Sequence, residues 1–307
     1  MPLERDQWQF SPLRCGMYDE LNPLSRSGFV AERAESIPMN LKALEDKMRV
    51  YETAHDHCVL PGLYMVARLD GRRFSRLIRQ RFPDPKAGAV ALRDHMVATV
   101  EALMGCDLRM IYGHTHSDEV SLLLHRDEDS FSRKLRKLNS LLAGIASAAF
   151  SLQFGQLATF DCRISQLPTR ELVVDYFRWR SENAYRNSVS SLCQQALMAT
   201  GKTPAEAAGH LRGLSIDDQH LLLHRHDIDI DEHPAWLKRG IGFYWEVDNS
   251  SDDPANRPDE TKLESPVPRR RRLKVTPDFP GKAEFSGLIR ELIKTMEQSS
   301  ESSNVNT

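Results

Sequence analysis

Acidic side chains stand at two places where the sequence pattern predicts that a strand ends. Asp70 follows an apolar run at residues 66–69 and precedes Gly71, while Asp118 and Glu119 lie between two further apolar runs. We expect the first run to be a buried strand and the residues around Asp118 to form the tip of a hairpin. If these strands pair, the three carboxylates meet at one end of a sheet.

Such a cluster must take up protons or hold a cation. Two unit charges about 4 Å apart repel by roughly 4 kcal/mol at an effective dielectric constant near 20. Oxygen ligands with no cysteine nearby favour Mg²⁺ or Mn²⁺. We therefore expect Asp70 and Asp118 to bridge two metal ions, one activating a hydroxyl and one holding a nucleotide triphosphate, with Glu119 ligating or orienting the second ion. The alternative is that these acids are only solvated.

The elements that would position the acids follow the order strand, helix, hairpin, helix, strand. This is the split βαβ, ferredoxin-like arrangement of the α+β class, an antiparallel sheet with helices on one face. It is the palm topology of many two-metal nucleotidyl enzymes and cyclases, although fold alone does not give function. Helices are predicted at residues 40–57, 73–80, 86–104 and, capped by Asp129 and Ser130, up to 150; the hairpin at 109–124; and a fourth strand at 159–164.

The chain divides into four predicted regions. Residues 1–38 form a lead-in without periodicity, 39–170 the palm domain, 171–298 a mainly helical, RNA-facing region, and 299–307 a polar, disordered tail. Within the third region, residues 241–247 are predicted to form a strand, residues 249–268 a mobile loop, residues 269–275 a basic strand and residues 283–297 the final helix.

Composition indicates a globular protein of the reducing cytoplasm. The formal net charge of the 307 residues is only -2, so binding of nucleic acid would need local basic patches. The five cysteines are scattered and form no C-x-x-C pair, which argues against a disulfide framework or structural zinc. No signal peptide or apolar run of membrane-spanning length is present, so we expect no association with a membrane.

Basic and backbone groups provide candidate phosphate contacts. Backbone amides of residues 72–75, at the start of a helix, could bind a triphosphate. Arg133 and Lys137 are predicted one turn apart on an exposed helix face, where they either neutralise nucleotide phosphates or are solvated. The run Arg269–Arg272 could contact a nucleic-acid backbone or solubilise an edge strand. Histidines at 114, 116, 220, 224 and 226 lack the pattern of a zinc site.

Six motifs occur in an order that resembles a known family. They are Arg68–Phe74, Tyr112–Glu119, Phe160–Arg163, Asp175–Arg180, Leu211–Ser215 and Lys238–Gly240. Together they resemble the tRNA(His) guanylyltransferase family, especially its bacterial guanylyltransferase-like branch. The resemblance implies a nucleotidyltransferase that adds nucleotides to the five-prime end of tRNA, in end repair or maturation. It also implies a palm with two Mg²⁺ ions, which Mn²⁺ could replace, GTP or ATP as substrate, and a tetramer.

Individual residue roles follow from the same resemblance. Asp70 and Asp118 would bind both metals through their side chains, and Gly71 through its carbonyl. The implied nucleotide contacts are Asp70, Gly71, Arg72, Arg73, Phe74, Ser75, Ser117, Asp118, Arg133 and Lys137. The implied RNA contacts are Arg180, Asn187, Arg239, Arg270 and Arg271.

The chain departs from the family pattern in the polar residues around the metal cluster. Ser181, Asn183 and Tyr185 replace the family's Gln, Asp and His, whereas Asn187 is retained; Gln219 and Leu221 replace Lys and Glu; and Asp229-Ile230-Asp231 replaces an Asn-flanked aromatic residue. These changes make the region less attractive to phosphate. Two alternatives therefore stay open: a palm enzyme or cyclase acting on another RNA or on free nucleotides, and a non-catalytic RNA-binding derivative.

Overall fold

The computed structural model describes residues 40–247, 271–277 and 282–304, with side chains of the last helix described from residue 284 to residue 298. The predicted lead-in at residues 1–38, the predicted loop at 249–268 and Arg270 lie outside the described residues. The chain separates into two compact units, residues 1–54 and residues 55–307. The described part of the first unit is dominated by helix α1 (Leu41–Glu52), where the amide of Lys42 donates to the Asn40 side chain.

The second unit alternates helices and strands. In chain order, its elements are β1 (Tyr64–Gly71), α2 (Phe74–Arg81), α3 (Pro85–Met104), β2 (Met110–His116), β3 (Glu119–Leu124), α4 (Leu135–Phe154), β4 (Phe160–Leu167), α5 (Arg170–Ala199), α6 (Pro204–Leu211), α7 (Ile216–Arg225), α8 (Ala235–Arg239), β5 (Ile241–Val247), β6 (Arg271–Thr276) and α9 (Lys282–Asn304). The described residues thus contain the predicted strand–helix–hairpin–helix–strand order.

A six-stranded sheet in the order β4-β1-β3-β2-β5-β6 forms the centre of this unit, and all neighbouring strands are antiparallel. Its first four strands are the palm sheet predicted from the sequence, so the fold class is confirmed. The C-terminal region adds β5 and β6 to the edge at β2. The predicted boundary at residue 170 therefore separates two stretches of sequence that share one sheet.

Alternation along β1 directs side chains to two different cores. Met65, Ala67 and Leu69 pack with α2, α3 and α4, as predicted for the palm. Tyr64 and Val66 point the other way, into a second core with apolar residues of α5 and α9. The helical C-terminal region therefore covers the face of the sheet that the palm helices leave open.

The connection from β3 to α4 differs from the prediction. Asp129 makes no side-chain cap, a 3₁₀ turn covers Ser130–Arg133, and α4 begins only at Leu135. Phe131, Ser132 and Arg133 all have positive φ angles, which a continuous α-helix excludes. Phe131 is consequently exposed and does not belong to the buried face of α4. The sequence predicted the helix, but it did not reveal this turn.

At the C-terminus, α9 reaches Asn304, so the tail predicted to be disordered from Ser299 is helical for most of its length. Residues 305–307 lie outside the described part. Among the described residues, no helix is both long enough and apolar enough to cross a membrane.

Candidate active site

The predicted acids meet at one end of the sheet. Asp70, the second-last residue of β1, lies directly opposite Glu119, the first residue of β3. Residues that face each other across an antiparallel pair project to the same side of the sheet, so both point toward the α5 side. The amide of Gly71 donates a 3.0 Å hydrogen bond to the carbonyl of Asp118, which holds the hairpin tip against the end of β1.

Asp118 occupies the tip of the hairpin in a partly buried position. Ser117 precedes it with a φ of 54°, and the Ser117 hydroxyl donates to Oδ1 of Asp118 over 3.1 Å. Burial raises the pKa of Asp118, and the charge of Asp70 raises it further, while hydrogen bonds from its own amide and from Ser117 act in the opposite direction. Ionisation of Asp118 therefore costs free energy, and a nearby cation would offset this cost.

Glu119 has a different environment because it is held by arginines. Nη2 of Arg180 donates a 2.7 Å hydrogen bond to Oε2 of Glu119, and Nε of Arg180 lies 2.7 Å from Oε1. Nε of Arg68 lies 3.9 Å from Oε2. Burial raises the pKa of Glu119, which the positive charges of Arg180 and Arg68 counteract. Both oxygens of Glu119 are thus engaged by cationic side chains.

Arg180 therefore requires a correction. The sequence predicted an RNA contact, but its side chain is 9% exposed, pairs with Glu119, and stacks over Trp179 with 4.4 Å between the guanidinium carbon and the ring centroid. A guanidinium buried against a carboxylate is unavailable to a phosphate in this arrangement. We assign Arg180 to the positioning of Glu119.

The acids at the hairpin end differ in their suitability for a divalent ion. Within the described residues, no group of three or more His, Cys, Asp and Glu side chains converges as a metal cluster. Glu119 is paired with Arg180 and Arg68. Asp70 and Asp118, in contrast, have no ion-pair partner among the described arginines and lysines. Two unneutralised carboxylates beside the Gly71 carbonyl are the ligand type that Mg²⁺ accepts, since this ion keeps several waters. The residues fit a divalent ion held by two protein carboxylates.

Backbone groups at the start of α2 lie next to this pair. Arg73 precedes α2 in a left-handed conformation, with a φ of 61°, and no side chain caps the helix. Phe74 is buried and packs against Phe150 and Phe160. The first amides of α2 are therefore oriented toward the end of β1 without a side-chain acceptor, which suits an anionic group.

Gly71 has no room for a side chain. A Cβ at this position would lie 2.5 Å from the ring of Phe74. The ring belongs to the palm core and cannot move without displacing its neighbours. The Asp-Gly sequence is thus required by packing as well as by the approach of a ligand.

Arg133 is a second correction. Its guanidinium donates to the carbonyls of Val59, Leu63, Arg126 and Glu128 at 2.8–3.1 Å, and the residue is 7% exposed. Leu63 precedes β1 and Arg126 follows β3, so Arg133 lies at the end of the sheet opposite the acids. Roughly seven residues of strand separate the two ends, about 23 Å. Arg133 organises a loop and is not placed to contact a nucleotide at the acids.

Lys137 shares this location. It is exposed in the first turn of α4, immediately after Arg133. Its neighbours Lys134 and Arg136 both pair with Asp56, which lowers the pKa of that carboxyl. The predicted triphosphate contact of Lys137 therefore has no support from its position in the fold.

A cleft of about 730 Å³ opens beside the acids. Asp70, Asp118 and Glu119 are among its lining residues, and the other walls come from the N-terminal half of α3, the middle of α5 and the segment around α8. Asn187 is exposed on the α5 wall of the cleft, and its contact with RNA stays a prediction. The walls combine apolar side chains with amides and hydroxyls, as small-molecule sites do.

Arg239 and the basic strand complete the predicted RNA contacts. Arg239 is 23% exposed, lies 3.4 Å from Glu182 and stacks over Tyr185, so its charge is largely compensated. Arg271 is exposed at the start of β6, on the edge of the sheet. An RNA contact at Arg271 stays a prediction, as does one at Arg270.

Two buried histidines were not anticipated as structural parts of the site. Nε2 of His114 is 2.8 Å from the carbonyl of Arg239, and Nε2 of His116 is 2.9 Å from that of Leu237. Both carbonyls belong to α8, so the histidines attach this helix to the strand that leads to Asp118. Burial lowers the pKa of both rings, that of His114 to about 4. Their i, i+2 spacing on a strand was visible in the sequence, but their partners were not.

Two family models together match most of the chain. A family model described as tRNAHis guanylyltransferase matches residues 45–168, and one described as Thg1 C terminal domain matches residues 171–279. The tRNA(His) guanylyltransferase of Kluyveromyces lactis is 28% identical over 65% of this chain and 89% of its own length. A probable tRNA(His) guanylyltransferase of Mus musculus is 25% identical over 87% of this chain and 92% of its own. The match to tRNA(His) guanylyltransferase 1 of Arabidopsis thaliana spans 34% of that protein.

Solved structures show the same fold. A bacterial tRNA(His) guanylyltransferase (Thg1)-like protein in complex with ATP superimposes with a TM-score of 0.62 at 24% identity, covering 81% of this chain and 98% of the other. The corresponding complex with GTP gives a TM-score of 0.60 at 23% identity, covering 82% and 99%. The superimposed part of this chain therefore includes both the palm and the C-terminal region that completes its sheet.

Proposed function

Because the chain belongs to the tRNA(His) guanylyltransferase family of nucleotidyltransferases, we propose that it adds nucleotides to the five-prime end of a tRNA, in end repair or maturation. The observation that carries the proposal is the pair Asp70 and Asp118. They are the acids at the hairpin end that lack a basic partner in the described structure, whereas Glu119 pairs with Arg180 and Asp161 with Arg163.

The pair would hold divalent ions, Mg²⁺ or Mn²⁺. The ligands would be one carboxylate from β1, one from the hairpin tip and the carbonyl of Gly71. When bound, such ions supply Lewis-acid stabilisation of phosphate oxygens and lower the pKa of an attacking hydroxyl. Glu119 would act indirectly and not as a metal ligand, since Arg180 and Arg68 fix its position beside Asp70.

Other groups would bind and orient the substrates. The uncapped amides at the start of α2, from Arg73 to Ser75, would bind triphosphate oxygens of GTP or ATP. The amide of Arg72, which the sequence also predicted as a phosphate contact, instead donates to the carbonyl of Thr159 over 2.9 Å. The Ser117 hydroxyl, which bonds Asp118, would keep that carboxylate oriented. The cleft lined by α3, α5 and α8 would receive the remainder of the nucleotide or the RNA end, with Asn187 on its wall.

A five-prime extension assay tests the proposal. With a five-prime-truncated, triphosphorylated tRNA, NTPs and Mg²⁺, we expect the purified protein to lengthen the RNA. Asp70→Asn and Asp118→Asn should each reduce the rate by about a hundredfold or more, because each removes a charge that would stabilise the ions and the transition state.

Asp161→Asn is the matched control. Asp161 lies opposite Asp70 on the other neighbouring strand, but it is exposed and pairs with Arg163. Extension by this variant should equal that of the wild type. No extension by the wild type, or equal rates for all four proteins, would contradict the proposed activity.

The altered polar residues of α5 and α7 favour a second candidate. Tyr185 bonds His220 over 3.2 Å, and the Gln219 amide donates to the Leu214 carbonyl, so these positions are engaged within the protein. A palm enzyme with another RNA or free nucleotides as substrate is compatible with that change. Mass spectrometry of products formed from NTPs and Mg²⁺ without RNA separates the two, because only an enzyme acting on free nucleotides then yields a product.

Assembly and location complete the proposal. We infer a homo-oligomer from the family alone. The four described cysteines carry free thiols, which supports a reducing, cytoplasmic location.

A further inference from the structure

Helix α2 displays arginines beside the candidate site. It begins three residues after Gly71, and its sequence, Phe74–Arg81, contains three arginines and no acid. Phe74 and Ile78 bury the inner side of the helix in the palm core. Arg76 and Arg79, three residues apart, are exposed on the outer side. We call these two residues the α2 arginine pair.

Arg81, on the same helix, is engaged in contacts within the protein. It donates to the carbonyl of Phe154 and stacks over the Phe154 ring at 4.9 Å. The α2 arginine pair differs. The Nε of Arg79 bonds the Ser75 carbonyl of its own helix, and neither residue forms an ion pair with an acid of the described structure. Asp84, the next acid along the chain, is occupied as the cap of α3.

The α2 arginine pair is not balanced by any acidic residue on its own helix. The protein as a whole carries a formal net charge of -2, so this surface is a local excess of positive charge. Two further exposed arginines, Arg72 and Arg73, connect it to Asp70 and Gly71. The stretch from Gly71 to Gln80, directly after Asp70, therefore carries four exposed arginines and no acid.

We propose that the α2 arginine pair contacts the phosphate backbone of the RNA whose five-prime end is at Asp70 and Asp118. The inference rests on the proposed function, which places that end at the acids. Arg76 and Arg79 lie about 3 Å and about 8 Å along the axis from the start of α2. Arginine side chains at these distances would reach phosphates close to the reacting end. Arginine suits the task because its guanidinium binds phosphate oxygens in pairs.

Two of the arginines expected from sequence to bind RNA are engaged within the protein. Arg180 and Arg239 are paired with Glu119 and Glu182, so neither offers a free charge. Contacts with the RNA backbone carry no sequence information and mainly fix its position. The pair would accordingly set affinity and placement of the RNA, and the chemistry would stay with Asp70 and Asp118.

RNA binding at several salt concentrations tests the inference with Arg76→Ala/Arg79→Ala. The probe is a five-prime-truncated tRNA transcript, without NTP. We expect the affinity to fall about tenfold and the slope of log K against log salt to become shallower by about 2, because two phosphate contacts are lost. The KM for NTP in the extension assay should stay within about twofold, since the pair contacts RNA and not the nucleotide.

A matched control removes two exposed charges elsewhere. Arg290 and Lys294 lie one turn apart on α9, on the opposite side of the sheet, and Arg290→Ala/Lys294→Ala should leave RNA affinity and salt slope unchanged. Equal affinity of the wild type and Arg76→Ala/Arg79→Ala would overturn the inference, as would a change confined to the KM for NTP. Absence of RNA binding by the wild type would instead refute the proposed function.

Discussion

At the level of single residues, the ion pair between Glu119 and Arg180 distinguishes Glu119 from the two aspartates of the site. Three acids in the two sequence motifs suggest three equivalent ligands. The structure separates them into two unpaired carboxylates and one that is neutralised by buried guanidinium groups. Equivalent residue types thus have different roles because their surroundings differ.

Breaking this pair should cost stability. We expect Arg180→Ala to lower the free energy of unfolding by about 3 kcal/mol, because Glu119 would be left partly buried without its cation. Denaturant unfolding measures the change. Arg178→Ala is the control, two residues away on α5, where the pair with Asp175 is half exposed on both sides. It should change stability by less than about 0.5 kcal/mol. Equal losses in the two variants would contradict a special role for Arg180.

The buried ring of His114 predicts a pH dependence. Burial lowers its pKa to about 4 in the folded protein, against an ordinary value of 6.5, and the charges of His116 and Arg180 act in the same direction. The unfolded chain therefore binds a proton that the folded chain excludes, and stability falls as the pH drops from 6.5 toward 4. The full loss for this group is about 3 kcal/mol.

Unfolding measured across this pH range in wild type and His114→Asn tests the prediction. The variant should lose less stability on acidification. Asp118 and Glu119, whose pKa values burial raises, gain protons over part of the same range with the opposite effect. Because both proteins contain Asp118 and Glu119, the contribution of these two acids cancels when the stability of one protein is subtracted from that of the other. Parallel curves would show that His114 is not the responsible group.

At the level of elements, α8 is attached to the strand that leads into the hairpin. Gly240 ends α8 with a φ of 87°, and a Cβ there would lie 2.4 Å from the carbonyl of Thr115 and 2.6 Å from Nε2 of His114. The helix can approach β2 only because residue 240 has no side chain. This contact fixes one wall of the cleft relative to Asp118.

Gly240→Ala should therefore destabilise the protein by about 3 kcal/mol, through both the left-handed backbone and the steric overlap. Gly213→Ala separates the two causes. Gly213 has a φ of 83°, but a Cβ added to it would meet no other atom within 4 Å, so only the backbone cost of about 1 kcal/mol applies. Chemical unfolding of both variants gives the comparison. Equal losses would mean that the contact between α8 and β2 is loose.

The sequence predicted most elements because their signals are local. The helix predicted at residues 86–104 and the strand predicted at residues 241–247 correspond directly to α3 and β5. The failures depended on tertiary contacts. Arg133 looked like an exposed helical residue, but four carbonyls from distant segments bind it in a turn with positive φ. No helical periodicity can indicate such partners.

At the level of the whole molecule, one sheet joins the palm to the C-terminal region. β5 and β6 extend the sheet beyond β2, and α5 and α9 cover its second face. Helix α9 lies beyond the residues that either family model matches. The site at Asp70 and Asp118 is consequently enclosed on one side by α5 and α8, which sequence order alone places far from the palm.

The location of the acids could be predicted from sequence, whereas their division of roles could not. Asp70 and Glu119 were expected to meet because strands of matching register end there, and the structure pairs them. The engagement of Glu119 depends on Arg180, 61 residues later in the chain. Its partner became identifiable only once α5 was placed on the sheet.

Binding of Mn²⁺ in the presence of a non-hydrolysable NTP, followed by calorimetry, tests the central claim most directly. We predict that the wild type and Glu119→Gln bind the ion with similar affinity, because Glu119 is held by arginine, and that Asp70→Asn and Asp118→Asn lose this binding. Absence of binding by the wild type, or retention of binding by both aspartate variants, would contradict a metal site built on Asp70 and Asp118.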